Sequence, residues 1–314
     1  MTRDPSLAVA AREGRPGPVL EAGDFKRAFQ RFQKDRVTDH AAALTYYALL
    51  SLFPALLFAV AVLGFFGQEQ LIADAAGFLR SVGAPAQTVD AVTSVLENAQ
   101  DNRSTALTAL VLGLATSLYG ASGAFGAVGR ALNVIWRVEE GRSFVSHKLH
   151  DIRWTLAVLA LVAVTLVLIF LGGSLSEFVF DQIGLGATTA AVWRYARWPM
   201  ALLAMVLIYA VVYFAAPNVE VRRFRWISPG AAFGVVTWLL ASAAFFLYVA
   251  ELSTYAATYG AFAGAVILLV WLWLTNLVLL FGAELNAVID VRRSPHLPRD
   301  YDGPPLPAKE PADA

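Results

Sequence analysis

The sequence predicts an all-α, polytopic membrane protein with six transmembrane helices plus short amphipathic helices. Two features predict this class. First, 58% of the residues are hydrophobic and 15% are charged, against about 25% charged residues in an ordinary soluble domain. Second, the chain contains uncharged runs longer than the roughly 20 apolar residues that cross a bilayer core. The absence of cysteine from the sequence excludes disulfides and thiolate chemistry.

The two chain ends are expected to be disordered cytoplasmic tails on either side of one membrane domain. Residues 1–23 contain three prolines and no apolar periodicity, and residues 291–314 are rich in proline. Neither stretch has the apolar pattern of a packed element. The membrane domain is predicted to occupy residues 24–290.

A short basic helix is predicted near residues 24–37, ahead of the first span. Asp24 is expected to cap it, and its apolar residues Phe25, Phe29 and Phe32 share one face. Two placements remain open for this face. It lies in the headgroup layer of an anionic leaflet, or it packs on the protein's own base.

The first span is predicted within residues 41–66, which contain no charged residue. Pro54 leaves the carbonyl of Leu50 without its helical hydrogen-bond partner, so a kink is expected there. Such a kink either serves helix packing or lies near a polar cavity, and both interpretations remain open.

A periplasmic helical segment is predicted near residues 68–103, broken at Gly83 and Pro85. A second span follows from Thr105 to about Val128. Its glycines recur every three residues and are expected to form a groove that lets another helix approach closely. These are Gly120, Gly123, Gly126 and Gly129.

Four further apolar stretches complete the six predicted spans. Pro199 and Pro229 are placed in first turns of their spans, where the missing N–H costs little. The four stretches run from Trp154 to about Leu175, from Trp198 to Ala216, from Ile227 to Ala250 and from Leu252 to Ala283.

The distribution of Lys and Arg predicts that both termini are cytoplasmic. The two terminal segments and the connections after the second and fourth spans hold 20 of the 24 Lys and Arg residues, and the alternate connections hold four. Positive charge is retained on the cytoplasmic side of membrane proteins.

Polar residues at the cytoplasmic ends of the spans, and along them, are the candidates for a substrate pathway or polar cluster. Ionisable groups at this depth are expensive unless paired or hydrated. They therefore mark either a set of paired charges at the cytoplasmic base of the protein or the cytoplasmic entrance of a pathway. The other interpretation is that they cap helix ends or extend their charged groups towards water, which is called snorkelling. The candidates are Asp39, Tyr46, Tyr47, Ser51, Pro54, Ser122, Arg130, Asn133, Arg223, Asn276 and Glu284.

Arg130 and Glu284 are predicted to form one buried pair, because both follow long uncharged spans at the same expected depth. Asp39 or an arginine from residues 222–225 is the alternative partner. Asn276 is expected to bond across to another helix, as buried amides in membranes do.

Four stretches of the chain are distinctive when taken together: DRVTDHAAALTYYALLSLFPALL, SLYGASGAFGAVGRALNVIW, APNVEVRRFRWISPGAAFG and YGAFAGAVILLVWLWLTNLVLLFGAELNAVI. Over roughly Phe25 to Asp290 the chain resembles the BrkB/YihY family of bacterial inner-membrane proteins, once labelled ribonuclease BN. The resemblance implies a six-span protein of the inner membrane, with transport or lipid translocation as the suggested activity.

No catalytic, cofactor-binding or metal site is predicted. Of the four histidines, only His147 and His150 share a helical face, with Asp151 adjacent. This donor set is weak for a metal-dependent nuclease. The basic residues are explained by membrane orientation, so no nucleic-acid partner is expected.

The leading functional hypothesis is a transporter or translocase of a small solute or lipid, embedded in a phospholipid bilayer and without its own ATPase. The alternative is a non-transporting structural or accessory membrane protein whose polar groups serve helix packing. A membrane enzyme ranks third.

Single cysteines test the predicted orientation in this cysteine-free chain. A cysteine at Ser94 should react with an impermeant maleimide added outside the cell, because the 68–103 segment is predicted to be periplasmic. A cysteine at Ser294 should react only after the membrane is opened. Reaction of both from the same side would contradict the six-span topology.

Overall fold

The computed structural model describes residues 20–66, 76–77, 80, 86, 89–90, 93–94, 103–170, 186–219, 226–251 and 261–293. Within these ranges most residues are helical and no strand occurs, which confirms the all-α class. The long helices are α1 (Ala22–Lys34), α2 (Val37–Phe66), α3 (Arg103–Trp136), α4 (Phe144–Phe170), α5 (Gly186–Ala215), α6 (Pro229–Glu251) and α7 (Ala261–Arg293).

Five helices of the described part are long and apolar enough to cross a membrane, which makes the protein a multi-pass membrane protein. The crossing stretches are Val111–Trp136, Phe144–Ile169, Ala191–Ala215, Pro229–Val249 and Ala263–Arg292. Helix α2 runs without a break through the predicted first span. The side chains of residues 52–66, Pro54 included, lie outside those described, so the sixth span and the kink stay predictions.

Two predicted helix starts are wrong. Helix α4 begins at Phe144, well before the predicted start of the third span at Trp154, and it includes His147, His150 and Asp151. Helix α5 begins at Gly186, which places Pro199 in its interior rather than in a first turn. In both cases the helix begins before the apolar run, in a stretch that also contains charged residues. Pro229 does begin α6, as predicted.

The chain divides into two compact units. The smaller contains Tyr46–Ala124, and the larger contains Met1–Thr45 and Phe125–Ala314. In the larger unit α4 packs on α5, α5 on α6, α6 on α7 and α7 on α1.

Helix α1 packs its apolar face on the protein itself. Ala28 lies in a buried cluster formed with Leu285, Val288 and Ile289 of α7. The ring of Phe25 contacts that of Phe233, and the ring of Phe32 contacts that of Phe281. Of the two placements left open by the sequence, packing on the protein's own base is therefore confirmed, although Phe29 is 53% exposed.

Two ion pairs set the register of α1 on α7. Arg292 Nη2 lies 3.2 Å from Asp24 Oδ2, and Arg31 Nε lies 3.6 Å from Glu284 Oε2. The partners are seven residues apart on α1 and eight on α7, which is about two helical turns on each. The two helices therefore run antiparallel, with the buried Ala28 cluster between the pairs.

The N-terminus of α1 is capped by Glu21, which corrects the prediction that Asp24 is the cap. The Asp24 carboxylate accepts a hydrogen bond from the backbone N–H of Glu21 at 3.0 Å and completes a capping box. Glu21 also pairs with Arg292. Burial raises the pKa of Asp24, and the nearby Arg27 guanidinium partly opposes that rise.

Close helix contacts occur at some of the predicted glycines and not at others. A Cβ built at Gly129 would lie 2.9 Å from the carbonyl oxygen of Ala216, whereas one at Gly123 would meet nothing within 4 Å. The tightest approach joins α6 and α7, where a Cβ at Gly282 would lie 2.7 Å from the carbonyl oxygen of Gly230 and 2.5 Å from Tyr213 Oη. The spacing of glycines in the sequence did not predict this close contact between Gly230 and Gly282.

Gly282→Ala is expected to lower the free energy of unfolding by about 1 to 3 kcal/mol, because the added methyl group overpacks the contact with Gly230. Gly264→Ala is the matched control in the same helix, since nothing lies within 4 Å of its Cβ position. It should leave stability unchanged or raise it by up to about 1 kcal/mol through helix propensity. Thermal unfolding in detergent, followed by tryptophan fluorescence, measures both. Equal stabilities would contradict the close approach of α6 and α7.

Candidate functional site

Glu284 is the most deeply buried charged residue of the candidate site. It lies on the membrane-crossing stretch of α7, and its exposure is 0%. Arg31 of α1 supplies the nearest cation, with Nε 3.6 Å from Glu284 Oε2. The same guanidinium donates from Nη2 to the carbonyl oxygen of Ile135 at 3.0 Å. Arg31 therefore joins α1, the end of α3 and α7.

A second acid and a second arginine complete this group. Arg137 Nη2 donates to Asp35 Oδ1 at 3.2 Å, and the Asp35 side chain is 9% exposed. The backbone N–H of Asp35 donates to the carbonyl oxygen of Arg31 at 2.8 Å, so the two ion pairs lie one helical turn apart on α1. We call Arg31, Asp35, Arg137 and Glu284 the charge centre. Its two carboxyl groups and two guanidinium groups balance when all four are ionised.

Helix endings place two members of the charge centre. Asp35 is the C-cap of α1, and Arg36 after it has a φ of 47°. At the end of α3, Arg137 has a φ of 54°, and Val138 N donates to the carbonyl oxygen of Asn133 at 2.9 Å. This is the Schellman pattern, usually made with glycine. A non-glycine residue rarely adopts this conformation, and such strain persists where the surrounding structure demands it.

The charge centre is incompletely hydrogen-bonded within the described part of the chain. No nitrogen or hydroxyl group there donates a hydrogen bond to either oxygen of Glu284 or to Asp35 Oδ2, and Arg31 Nε also makes no hydrogen bond. At 3.6 Å the contact between Arg31 Nε and Glu284 is an ion pair without a hydrogen bond. Buried charged groups usually have both an ion-pair partner and hydrogen bonds, because an unsatisfied buried charge is costly.

A second polar group surrounds Asn133, one of the predicted candidates. Asn133 Oδ1 accepts from the backbone N–H of Asn218 at 2.7 Å, and Asn133 Nδ2 donates to Glu140 Oε2 at 3.2 Å. His147 lies between two acids, with Nδ1 3.3 Å from Glu140 Oε2 and Nε2 3.2 Å from Asp151 Oδ2. These bonds tie the segments that follow α3 and α5 to the start of α4.

The predicted pairing of Arg130 with Glu284 is wrong, because the cation beside Glu284 is Arg31. Arg130 is exposed, and its Nη1 lies beside Gly126 together with Asp151 Oδ2. Asp39 is exposed as well. Arg223 lies outside the described residues. The sequence missed Arg31, Asp35 and Arg137 because each resembles the ordinary charged residues that flank a membrane span.

The predicted hydroxyl groups bond mainly within their own helices. Ser51 donates to the carbonyl oxygen of Ala48 and Ser122 to that of Tyr119, each at 2.8 Å. Tyr46 is 58% exposed, and its ring packs edge-on against that of Tyr47. None of these contacts by itself indicates a polar pathway.

Asn276 makes the interhelical bond expected of a buried amide. Its Nδ2 donates to Thr45 Oγ1 at 3.2 Å, and Thr45 Oγ1 donates in turn to the carbonyl oxygen of Ala41 at 2.8 Å. The residue therefore connects α7 with the start of α2.

Asn286 connects α7 to the first turn of α6. Its Oδ1 accepts from the backbone N–H of Gly230, and its Nδ2 donates to Ser228 Oγ, both at 2.9 Å. Ser228 caps α6 by accepting from Ala231 N at 3.2 Å.

Among the described residues, no group of three or more His, Cys, Asp or Glu side chains is arranged to hold a metal ion.

Comparison with known proteins places these features in a family context. The family model described as Virulence factor BrkB matches residues 28–304. A Bacillus subtilis (strain 168) protein named putative ribonuclease-like protein YfkH is 31% identical over 269 residues, which are 86% of this chain and 96% of that protein.

Two relatives named UPF0761 membrane protein are similar as well. The one from Aeromonas salmonicida (strain A449) is 28% identical over 90% of this chain and 96% of its own length. The one from Laribacter hongkongensis (strain HLHK9) is 30% identical over 86% of this chain, which spans 62% of that longer protein. No solved structure matches the chain.

Proposed function

Because the chain belongs to the Virulence factor BrkB family of membrane proteins, we propose that it is a transporter or translocase of a small solute or lipid. It works in a bacterial inner membrane, with both termini cytoplasmic, and has no ATP chemistry of its own. The observation that carries this proposal is the charge centre, buried where α1 and the end of α3 meet the membrane-crossing helix α7.

The incomplete hydrogen bonding of Glu284 supports transport over a purely structural role. A carboxylate that only holds helices together gains stability when N–H or O–H groups saturate its oxygens. Glu284 has one cation at 3.6 Å, and neither of its oxygens accepts a hydrogen bond within the described part of the chain. Intramembrane ionisable groups of this kind commonly belong to pathways and relays, because a fixed structural charge is expensive there.

The alternative, a structural or accessory membrane protein, is favoured by a different observation. The hydroxyls of Thr45, Ser51 and Ser122 bond to carbonyl groups of their own helices. Asn276 and Asn286 connect neighbouring elements, which is a packing role. These polar residues stabilise the helix arrangement without requiring a substrate.

A ribonuclease activity is no part of the proposal. The ribonuclease-like label belongs to the printed name of the Bacillus relative. With no cysteine and four histidines in the whole sequence, the chain offers few of the ligands on which metal-dependent nucleases rely.

Lipid and metabolite contents of membranes and cells test transport against the structural alternative. Loss of the protein should change the content of at least one lipid or small solute, and wild-type protein should restore it. Glu284→Gln, present in the membrane at the wild-type level, should fail to restore it, because the amide cannot carry the charge of the carboxylate. Glu139→Gln is the matched control, since Glu139 is exposed.

Full restoration by Glu284→Gln would contradict a transport role for the charge centre. If cells with and without the protein have the same lipid and solute contents, the structural alternative replaces transport.

A further inference from the structure

Helix α1 has two sides of different character. The side that packs on the protein contains buried and partly buried residues, which are Asp24, Phe25, Ala28, Arg31, Phe32 and Asp35. The other side contains exposed residues only. We call this side the outer face; its residues recur every three or four positions, as neighbours on one side of a helix do. They are Lys26, Phe29, Gln30, Gln33 and Lys34.

The charges of α1 and its C-cap are divided between these two sides. Both acids point inward, where Asp24 pairs with Arg292 of α7 and Asp35 pairs with Arg137 at the end of α3. Cations from other helices therefore neutralise them. The outer face contains two lysines and no acid. It is accordingly a positively charged surface.

The ion pairs with α7 determine the depth at which α1 lies. The crossing stretch Ala263–Arg292 has 30 residues, a length of about 45 Å, which is close to the roughly 40–45 Å of a bilayer with both headgroup layers. Helix α1 lies along the last part of this stretch, since Arg31 pairs with Glu284 and Asp24 with Arg292. The outer face of α1 is therefore level with the headgroups of that leaflet.

Phe29 adds an apolar group to the charged surface. Its side chain is 53% exposed, and its ring lies parallel to that of Phe32 with 6.4 Å between the centroids. The Phe32 ring in turn contacts Phe281 of α7. Lysines beside an exposed aromatic ring are typical of helices that lie at the boundary between headgroups and acyl chains.

We propose that the outer face of α1 binds the headgroups of anionic phospholipids. Lys26 and Lys34 attract the phosphate groups, and the ring of Phe29 contacts the upper part of the acyl chains. The distribution of Lys and Arg assigns this end of α7 to the cytoplasmic side, and the cytoplasmic leaflet carries anionic lipids. This surface is separate from the charge centre, so the proposal holds for a transporter and for a structural protein alike.

The depth of α1 favours a lipid over a soluble acidic partner. Such a partner would have to displace headgroups before it reached a helix at this level. A lipid is already there, and its phosphate and acyl chain match the lysines and the ring together. A lipid bound on the outer face also lies opposite the side on which Arg31 pairs with Glu284.

Quenching of a fluorescent dye by spin-labelled lipids tests this contact in the full-length protein. Bimane attached to Gln33→Cys reports on the outer face, because the chain has no other cysteine. The protein is reconstituted in phosphatidylcholine vesicles that contain a small fraction of spin-labelled phosphatidylglycerol or, in parallel, of spin-labelled phosphatidylcholine. Phosphatidylglycerol should quench several-fold more strongly, since each cation near a membrane surface favours anionic lipid by roughly fivefold. High salt should reduce this preference.

Two substitutions of Lys26 in the labelled protein separate charge from structure. Lys26→Gln should lower the preference for phosphatidylglycerol, by up to about fivefold, and Lys26→Arg should retain it. Lys26 is exposed, so both variants are expected to fold. Equal quenching by the two lipids, or a preference that Lys26→Gln leaves unchanged, would overturn the proposal. Absence of quenching by either lipid would show that water or a protein chain covers the outer face, and would overturn it as well.

Discussion

Burial of the Glu284 carboxylate against the Arg31 guanidinium is the interaction on which the larger unit of the protein depends. A lone buried carboxylate is strongly destabilising, so α1 must stay on α7 to supply its cation. Arg31 in turn needs the carbonyl group of Ile135 at the end of α3. The Asp24–Arg292 pair, about two turns away, holds the same two helices in the same register.

Apolar packing and polar contacts cooperate along α7. Ala28 packs on Leu285 between the two ion pairs, and Gly282 allows the backbone of α6 to approach closely. One turn further on, Asn286 bonds to the N-terminus of α6. Without a hydrophobic force between membrane-crossing helices, such small residues and interhelical hydrogen bonds position the helices. The charge centre is held in place by this packing.

The sequence predicted the helices well because an uncharged run and its length are sufficient evidence for a membrane span. It singled out Glu284, Asn133 and Asn276 as candidates for a polar cluster, since each lies in or beside an apolar stretch. It could not predict the partners. Arg137 and Asp35 are 102 positions apart in the chain, and only the three-dimensional packing brings them together. The start of α5 was missed because Arg194 and Arg197 interrupt the apolar pattern, although the helix continues through them.

A double-mutant cycle on Arg31 and Glu284 tests the central claim most directly. Free energies of unfolding would be measured in detergent for Arg31→Gln, Glu284→Gln and the double variant. A buried pair broken on one side costs about 3 to 5 kcal/mol, so the double variant should be less destabilised than the sum of the single variants, by roughly 0.5 to 3 kcal/mol. Additive effects, or single losses within the roughly 0 to 1 kcal/mol of a surface pair, would contradict the account.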